Sequence, residues 1–204
     1  MSGTFFSSSP NRRPNAGFTL LELIVVVAII AVLASLAVPE FASIVAKANV
    51  SKAMNNFIAD ANFARGEALR QGKSVTMCRS NSPAAAVPVC SGGDGVAVGG
   101  WQEGWVVFID DNGNGTFNAA TDRVVRAQEA LNGLSNFFAV GANTISAVAT
   151  ANALTFDGTG RAIGQQARWL IHPSGSLAGD TNFARTICMN SVGRTRWIKG
   201  ESPC

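Results

Sequence analysis

Residues 17–23 read Gly-Phe-Thr-Leu-Leu-Glu-Leu and stand between a short basic leader and an apolar run that reaches Val38. Beyond residue 23 this run contains one polar residue, Ser35. The 21 residues from 18 to 38 are enough for a helix to cross a hydrocarbon core of about 30 Å. The sequence therefore predicts a transmembrane helix over residues 18–38.

Glu22 is the one acidic residue in this apolar run. A carboxylate at membrane depth costs roughly 2.5 to 3.5 kcal/mol on insertion scales, so it needs a specific partner. A cut after Gly17 would leave a positive amine on Phe18. Between subunits stepped along a helical bundle, Glu22 of one subunit could neutralise that amine on the next. We therefore expect Gly17 and Phe18 to form the processing site and Glu22 to act in assembly.

These features together resemble the N-terminus of a type IV prepilin or pseudopilin. The shared pattern is a leader with Arg12 and Arg13, Gly17 before the cut, Phe18 after it, and Glu22 as the fifth residue of the mature chain. The resemblance implies cleavage by a prepilin peptidase at the cytoplasmic face and N-methylation of Phe18. It also implies storage in the inner membrane before incorporation into a filament, with other major and minor pilins or pseudopilins as partners.

Two plainer interpretations of the apolar run are a secretory signal, with Ser35-Leu36-Ala37 as its small-residue cleavage site, and a single-pass anchor. Both explain the hydrophobicity, but neither gives a reason for Glu22. The basic residues before the span place the leader in the cytoplasm and the rest of the chain in the periplasm, by the positive-inside rule.

Apolar positions continue after the span at steps of three and four residues, which predicts an amphipathic continuation of the helix over residues 39–72. The predicted apolar stripe is Phe41, Ile44, Val45, Ala48, Phe57, Ile58, Ala61, Ala64, Ala68 and Leu69. The side chains expected to face water are Lys47, Lys52, Asp60, Arg65 and Arg70. Residues 1–17 are expected to be a leader that is cleaved. Residues 73–204, after the helix, are expected to form one periplasmic domain.

After residue 73 the pattern changes to short runs rich in β-branched and aromatic residues, separated by Gly, Asn and Pro. Strands are expected over residues 74–79, 105–110, 123–128, 154–157, 168–172, 183–189 and 194–199. Several short strands after one long helix indicate an α+β fold, in which the helix packs on an antiparallel β-sheet. The Gly-, Ala- and Pro-rich residues 81–100 are expected to form a mobile loop.

All four cysteines follow the predicted helix, in the exported part where oxidation is permitted. Four cysteines allow three different sets of disulfide pairs. Short loops and order along the chain favour Cys78 with Cys90 and Cys188 with Cys204.

Three further motifs resemble the minor subunits described as type II secretion protein H or FimT-like. They are Ala-Arg-Gly-Glu-Ala at residues 64–68, Gly-Trp-Val-Val-Phe-Ile-Asp at residues 104–110, and Gly-Arg-Thr-Arg at residues 193–196. Together they span most of the mature chain. The resemblance implies a pilin-like fold and a low-copy subunit at or near the filament tip, not the main pilin.

Residues 110–115, Asp-Asp-Asn-Gly-Asn-Gly, fit the first half of a calcium loop with Asp110, Asn112 and Asn114 as ligands. The twelfth position is Thr121, where a bidentate Glu is expected. The same residues suit a hairpin turn, which we favour over a metal site. His172 is the only histidine and is expected to be structural. The sequence predicts neither an enzyme nor a cofactor.

Charge is distributed unevenly along the chain. Residues 18–160 carry eight basic and eleven acidic residues, whereas residues 161–204 carry six basic and two acidic. The six are Arg161, Arg168, Arg185, Arg194, Arg196 and Lys199, interleaved with Trp169 and Trp197. Such a set could hold DNA through phosphate contacts and base stacking, or it could be solvated or pair with acids of a neighbouring subunit. If residues 194–199 form a strand, Arg194 and Arg196 point to one face.

The sequence therefore favours a membrane-anchored minor pilin or pseudopilin of a type IV pilus or type II secretion filament. The alternative is a DNA-binding minor pilin for natural transformation, because residues 193–196 resemble the basic motif with which FimT-like pilins bind DNA. The residues that would bind double-stranded DNA are Arg194, Arg196, Lys199, Arg185, Arg168 and Trp197. A singly anchored periplasmic binding protein is the third interpretation.

Overall fold

The computed structural model describes residues 17–90, 100–141, 152–163 and 167–204. Residues 1–16 of the leader, with Arg12 and Arg13, lie outside these ranges, as do residues 91–99 of the loop expected over residues 81–100. The helix α1, Leu20–Gln71, is shared by two compact units, of which the first ends at Phe41 and the second is Ala42–Cys204.

Both ends of α1 are set by local chemistry. Thr19 precedes the helix, and its hydroxyl oxygen accepts a hydrogen bond from the Glu22 backbone N–H at 3.2 Å, which satisfies one of the free N–H groups of the first turn. Gly72 ends the helix with φ +64°, a left-handed conformation that glycine adopts readily. The helix continues through Pro39. A single long helix was the prediction, and the structure confirms it.

Nine strands follow α1 in the described residues. They are β1 Val75–Arg79, β2 Trp105–Ile109, β3 Arg123–Gln128, β4 Leu134–Gly141, β5 Ala153–Phe156, β6 Ala162–Ile163, β7 Ala167–Pro173, β8 Arg185–Met189 and β9 Thr195–Lys199. A five-stranded sheet has the order β3-β2-β1-β5-β6, and a four-stranded sheet has the order β4-β7-β8-β9. All described pairings are antiparallel, so the predicted α+β class is confirmed.

Two of these strands, β4 and β6, were not predicted. β4 pairs with β7 along its length and carries Phe137 on the core face. The adjacent Phe138 points to the other face and stacks on His172 with ring centroids 6.3 Å apart. Because β4 has apolar side chains on both faces, it lacks the alternation of apolar and polar residues that indicates a half-buried strand. β6 has only two residues, too few to give a pattern.

Phe57 lies at the centre of the main core. Its ring centroid is 5.1 Å from that of Trp101, 5.7 Å from Trp105, 5.3 Å from Phe137 and 4.9 Å from Trp169. Since Trp105 belongs to the five-stranded sheet and Phe137 and Trp169 to the four-stranded one, the second half of α1 joins both sheets into one core.

The buried face of α1 differs in part from the predicted stripe. Its fully buried apolar residues are Ala46, Val50, Ala53, Met54, Phe57, Ala61, Ala64 and Ala68. Five residues expected in the stripe are exposed: Phe41, Ile44, Val45, Ala48 and Leu69. Asp60, expected to face water, is buried, because it lies on the same face one turn after Phe57 and finds polar partners there.

A second, smaller apolar cluster covers the other face of the five-stranded sheet. It is built on Cys78, Val106 and Phe108, and Phe117 packs on it with its ring centroid 5.3 Å from that of Phe108. The disulfide between Cys78 and Cys90 attaches the following loop to this cluster.

Candidate functional site

The N-terminal segment presents the expected processing residues in an accessible form. Gly17 and Phe18 precede α1, and Phe18 is 87% exposed. Glu22 lies in the first helical turn, where a negative charge interacts favourably with the helix dipole. The hydrogen bond from Glu22 N–H to Thr19 makes Thr19 the helix cap, a role that the sequence analysis missed. The signal was present as Thr followed by Glu three residues later, which is the capping-box spacing.

The described large apolar side chains of the first unit are exposed. In the described part of α1 the large apolar side chains from Leu20 to Leu33 are 46–76% exposed. These side chains are Leu20, Leu21, Leu23, Ile24, Val25, Val26, Val27, Ile29, Ile30, Val32 and Leu33. The most apolar window of α1 has a mean hydropathy of 2.9, so the helix is long and apolar enough to cross a membrane. A helix that is apolar all round needs lipid or other helices around it.

The second candidate site is the β8–β9 hairpin. Its turn is closed by hydrogen bonds from Gly193 N–H to Asn190 O at 2.9 Å and from Asn190 N–H to Arg194 O at 3.1 Å. Gly193 has φ +75°, and a Cβ at this position would lie 2.9 Å from Gly160 O. The turn therefore needs glycine here. Arg194 stands in the turn, one residue before β9, and is exposed.

The register of β8 and β9 decides which side chains share a face. Trp197 pairs with Ile187 and Lys199 pairs with Arg185. Since side chains alternate along a strand, Trp197, Lys199 and Arg185 lie on one face, and Arg196 lies on the other. The Arg185 guanidinium stands 5.8 Å from the centroid of the Trp197 ring, and Trp197 is 52% exposed.

Two members of the predicted basic and aromatic set are not accessible. Arg168 is 2% exposed, with Nε donating to Gly141 O at 3.1 Å and Nη1 donating to Ser202 O at 2.9 Å. Trp169 belongs to the core around Phe57. The expectation that Arg168 contacts DNA is therefore corrected, because backbone carbonyls already accept its hydrogen bonds inside the domain.

The C-terminal tail, residues 200–204, is attached to the four-stranded sheet at several points. A disulfide joins Cys188 to Cys204, the pairing that order along the chain favours. The Thr186 hydroxyl donates to Gly200 O at 2.6 Å, and the Arg196 guanidinium donates to Cys204 O. His172 Nε2 lies 3.5 Å from Glu201 Oε1. Arg196 is thus engaged with the tail, although it is exposed.

The acidic turn after β2 uses its own oxygens to fold. Asp110 is buried and its carboxylate accepts hydrogen bonds from Thr76 Oγ1 and Gly115 N–H, each at 2.8 Å. Asn112 Oδ1 accepts from Asn114 N–H at 3.0 Å. The oxygens that a calcium ion would require are thus engaged by the turn. Among the described residues no three His, Cys, Asp or Glu side chains group as metal ligands.

Sequence comparison assigns two regions of the chain. The family model described as type II transport protein GspH matches residues 53–195, and the prokaryotic N-terminal methylation motif matches residues 12–38. Over 96 residues the chain is 34% identical to the type IV major fimbrial protein FimA of Dichelobacter nodosus. That match covers 45% of this chain and 59% of FimA, so the chain spans less than two thirds of this curated relative.

Two crystal structures of the type IV minor pilin FimU of Pseudomonas aeruginosa share the fold. Their TM-scores are 0.52 and 0.50, at 15% and 16% identity. Each covers 76% of this chain, and the chain covers 94% and 98% of FimU. The fold, the match over residues 53–195 and the methylation motif agree, and the chain therefore belongs to the GspH family of type IV pilin-like proteins.

Proposed function

We propose that the chain is a minor pilin or pseudopilin, anchored in the inner membrane by residues 18–38 and assembled at or near the tip of a type IV pilus or type II secretion filament. The observation that carries this proposal is the exposure of the large apolar side chains of α1 from Leu20 to Leu33, which lie within the N-terminal methylation motif at residues 12–38. In the proposed organisation residues 1–17 are the cleaved leader, residues 39–72 continue the helix, and residues 73–204 form the periplasmic domain.

Glu22 supplies the assembly contact in this proposal. Cleavage after Gly17 by a prepilin peptidase leaves a positive amine on Phe18, which N-methylation retains as a cation. In a bundle of α1 helices surrounded by lipid, Glu22 of one subunit and the Phe18 amine of the next neutralise each other. Removal of either charge leaves the other at membrane depth without a partner, at a cost of several kcal/mol.

Substitution Glu22→Val separates anchoring from assembly. We expect the variant to stay in the membrane fraction, because losing a carboxylate favours insertion by roughly 2.5 to 3.5 kcal/mol. We expect it to be absent from sheared filaments, because the Phe18 amine of the next subunit loses its partner. Glu40→Val, which removes an acid from the same helix beyond the proposed span, is the matched control and should be incorporated normally. Normal incorporation of Glu22→Val would refute the charge-pairing mechanism.

DNA capture is the second candidate, favoured by the exposure of Arg194, Trp197 and Lys199 on the β8–β9 hairpin. Phosphate contacts by cations and base stacking on an exposed indole give binding that weakens with salt. The test is binding of the full chain in detergent to labelled double-stranded DNA across a salt series. Arg194→Ala should weaken this binding, and Lys52→Ala, which removes an exposed cation from α1, should not. Absence of binding at low salt would exclude this function.

A further inference from the structure

The two disulfides of the domain lie in different cross-strand environments. Cys188 on β8 pairs in register with Arg168 on β7 and with Arg196 on β9. Residues that pair across antiparallel strands project from the same face of the sheet, so the Cys188 side chain lies between those of two arginines. Cys78 on β1 pairs instead with two apolar residues, one on β2 and one on β5. One disulfide thus has a cation on either side, whereas the other has apolar neighbours.

Both guanidinium groups also reach the tail that carries the second sulfur. Arg168 Nη1 donates to Ser202 O at 2.9 Å, and the Arg196 guanidinium donates to Cys204 O. Arg168 is 2% exposed, so water screens its charge weakly. The hydrogen-bond acceptors in the tail are neutral carbonyl groups. A negative charge formed on the sulfur of Cys188 would therefore lie between two positive charges.

We propose that the Cys188–Cys204 disulfide is a thiol–disulfide exchange site that takes electrons from a dithiol. Cys204 is exposed and Cys188 is buried, so the incoming thiolate attacks Cys204 Sγ. The S–S bond breaks, its electron pair leaves with Cys188 Sγ as a thiolate, and a mixed disulfide forms on Cys204. The second thiolate of the reductant then displaces Cys204 and closes its own disulfide. Of the two protons that the dithiol releases, one protonates Cys204 and the other goes to solvent.

The two arginines favour this reaction because they stabilise the group that leaves. A disulfide opens faster when its leaving thiolate is stabilised, and neighbouring cations provide that stabilisation. The thiolate of Cys188 then competes with the tail carbonyls for Arg168 and Arg196, so reduction loosens residues 200–204. Apolar neighbours disfavour a thiolate at Cys78. This chemistry is independent of membrane anchoring and filament assembly, because every protein group that takes part lies within residues 168–204.

The rates of reduction test the proposal within one molecule. The full chain in detergent is treated with dithiothreitol, quenched with acid at intervals and alkylated, and mass spectrometry of its peptides follows each disulfide. We expect Cys188–Cys204 to open at least about tenfold faster than Cys78–Cys90. With the uncharged monothiol 2-mercaptoethanol, we expect the first adduct on Cys204. Equal rates for the two disulfides, or a first adduct on Cys188, would overturn the proposal.

Variants of Arg196 distinguish an electrostatic role from mere support of the tail. Arg196→Gln keeps an N–H donor for Cys204 O but removes the charge, so we expect reduction to slow about threefold. If Arg196 only held the tail in place, the same change would expose the disulfide and speed its reduction. Arg196→Lys keeps the charge and should restore most of the rate. Lys199→Gln, on the opposite face of β9, is the matched control and should leave the rate unchanged. An unchanged or faster rate in Arg196→Gln would contradict the proposed role.

Hydrogen exchange measures whether reduction loosens the tail. Gly200 N–H donates to Ala184 O at 3.0 Å, and the Thr186 hydroxyl donates to Gly200 O. After selective reduction of Cys188–Cys204, residues 200–204 should exchange faster. Residues 75–79 of β1, in the other sheet, should keep their protection and serve as the internal control. Full protection of the tail in the reduced chain would refute the coupling between the disulfide and the tail.

Discussion

Asp60 provides a quantitative test of how α1 is fixed to the five-stranded sheet. It is 6% exposed, and its two carboxylate oxygens have different donors: Trp105 Nε1–H at 2.8 Å and Arg126 Nη1–H at 2.6 Å. The Arg126 guanidinium also lies 4.2 Å from the centroid of the Phe63 ring. One acid on the helix thus joins β2 and β3.

The expected magnitudes follow from these contacts. Asp60→Asn keeps one acceptor but turns an amide N–H₂ toward the other donor, so we expect a loss of about 2 kcal/mol of unfolding free energy. Arg126→Met leaves the buried carboxylate with Trp105 alone. Because the Arg126 side chain is 42% exposed, water can reach the gap, and we expect about 2 kcal/mol rather than the larger cost of a fully buried pair. The double variant should lose about 2 to 3 kcal/mol of unfolding free energy. This is less than the sum of the two single losses, because either substitution alone already breaks the contact between Asp60 and Arg126.

The assay is urea unfolding of the full chain in detergent, followed by tryptophan fluorescence. Three of the four tryptophans, Trp101, Trp105 and Trp169, are buried in the main core, so most of the fluorescence change reports unfolding of that core. Arg123→Met removes an exposed cation from the same strand and should change stability by less than about 0.5 kcal/mol. Additivity of the Asp60 and Arg126 variants within about 0.5 kcal/mol would refute the shared contact.

Two further predictions concern the tail and the pH response. The Cys188–Cys204 disulfide closes a 16-residue separation, which corresponds to about 3 kcal/mol, so Cys188→Ala with Cys204→Ser should lower the urea midpoint accordingly. Hydrogen bonds from Arg70 and then Gln71 lower the pKa of Glu67 to about 2. Its contribution to stability is therefore complete above about pH 5 and is lost as the pH falls toward 2, so the difference in stability between wild type and Glu67→Gln should shrink over that range. A pH-independent difference would contradict this assignment.

The N-terminal architecture could be predicted because its signals are local. Gly17, Glu22 and the apolar run lie within the first 38 residues of the sequence, where the methylation motif also matches. The strands that alternate or end at Gly and Pro could be predicted for the same reason. β4 could not, since its two adjacent Phe residues serve different faces and only the pairing with β7 fixes its conformation.

Buried charges are what the sequence concealed. Asp60 was expected in water because a charged residue on an amphipathic helix usually faces solvent. Its partner Arg126 lies 66 residues away, and no periodicity reports such a distance. Arg168 is also bonded to residues far away in the sequence, because its hydrogen-bond acceptors are the backbone carbonyl groups of Gly141 and Ser202. The residue types alone do not indicate burial. Only the tertiary structure shows that Asp60 and Arg168 form hydrogen bonds inside the domain and are unavailable as binding groups.

In the proposed function the apolar helix and the globular domain have complementary physical roles. A purely apolar helix cannot select its neighbours, because lipid tails and other such helices offer the same apolar environment. In the proposed function Glu22 adds a charge requirement, but any subunit with a free N-terminal amine satisfies it. Under that proposal the choice of partner comes from the globular domain, where charges of opposite sign can be matched or opposed, and the helix then supplies most of the cohesion.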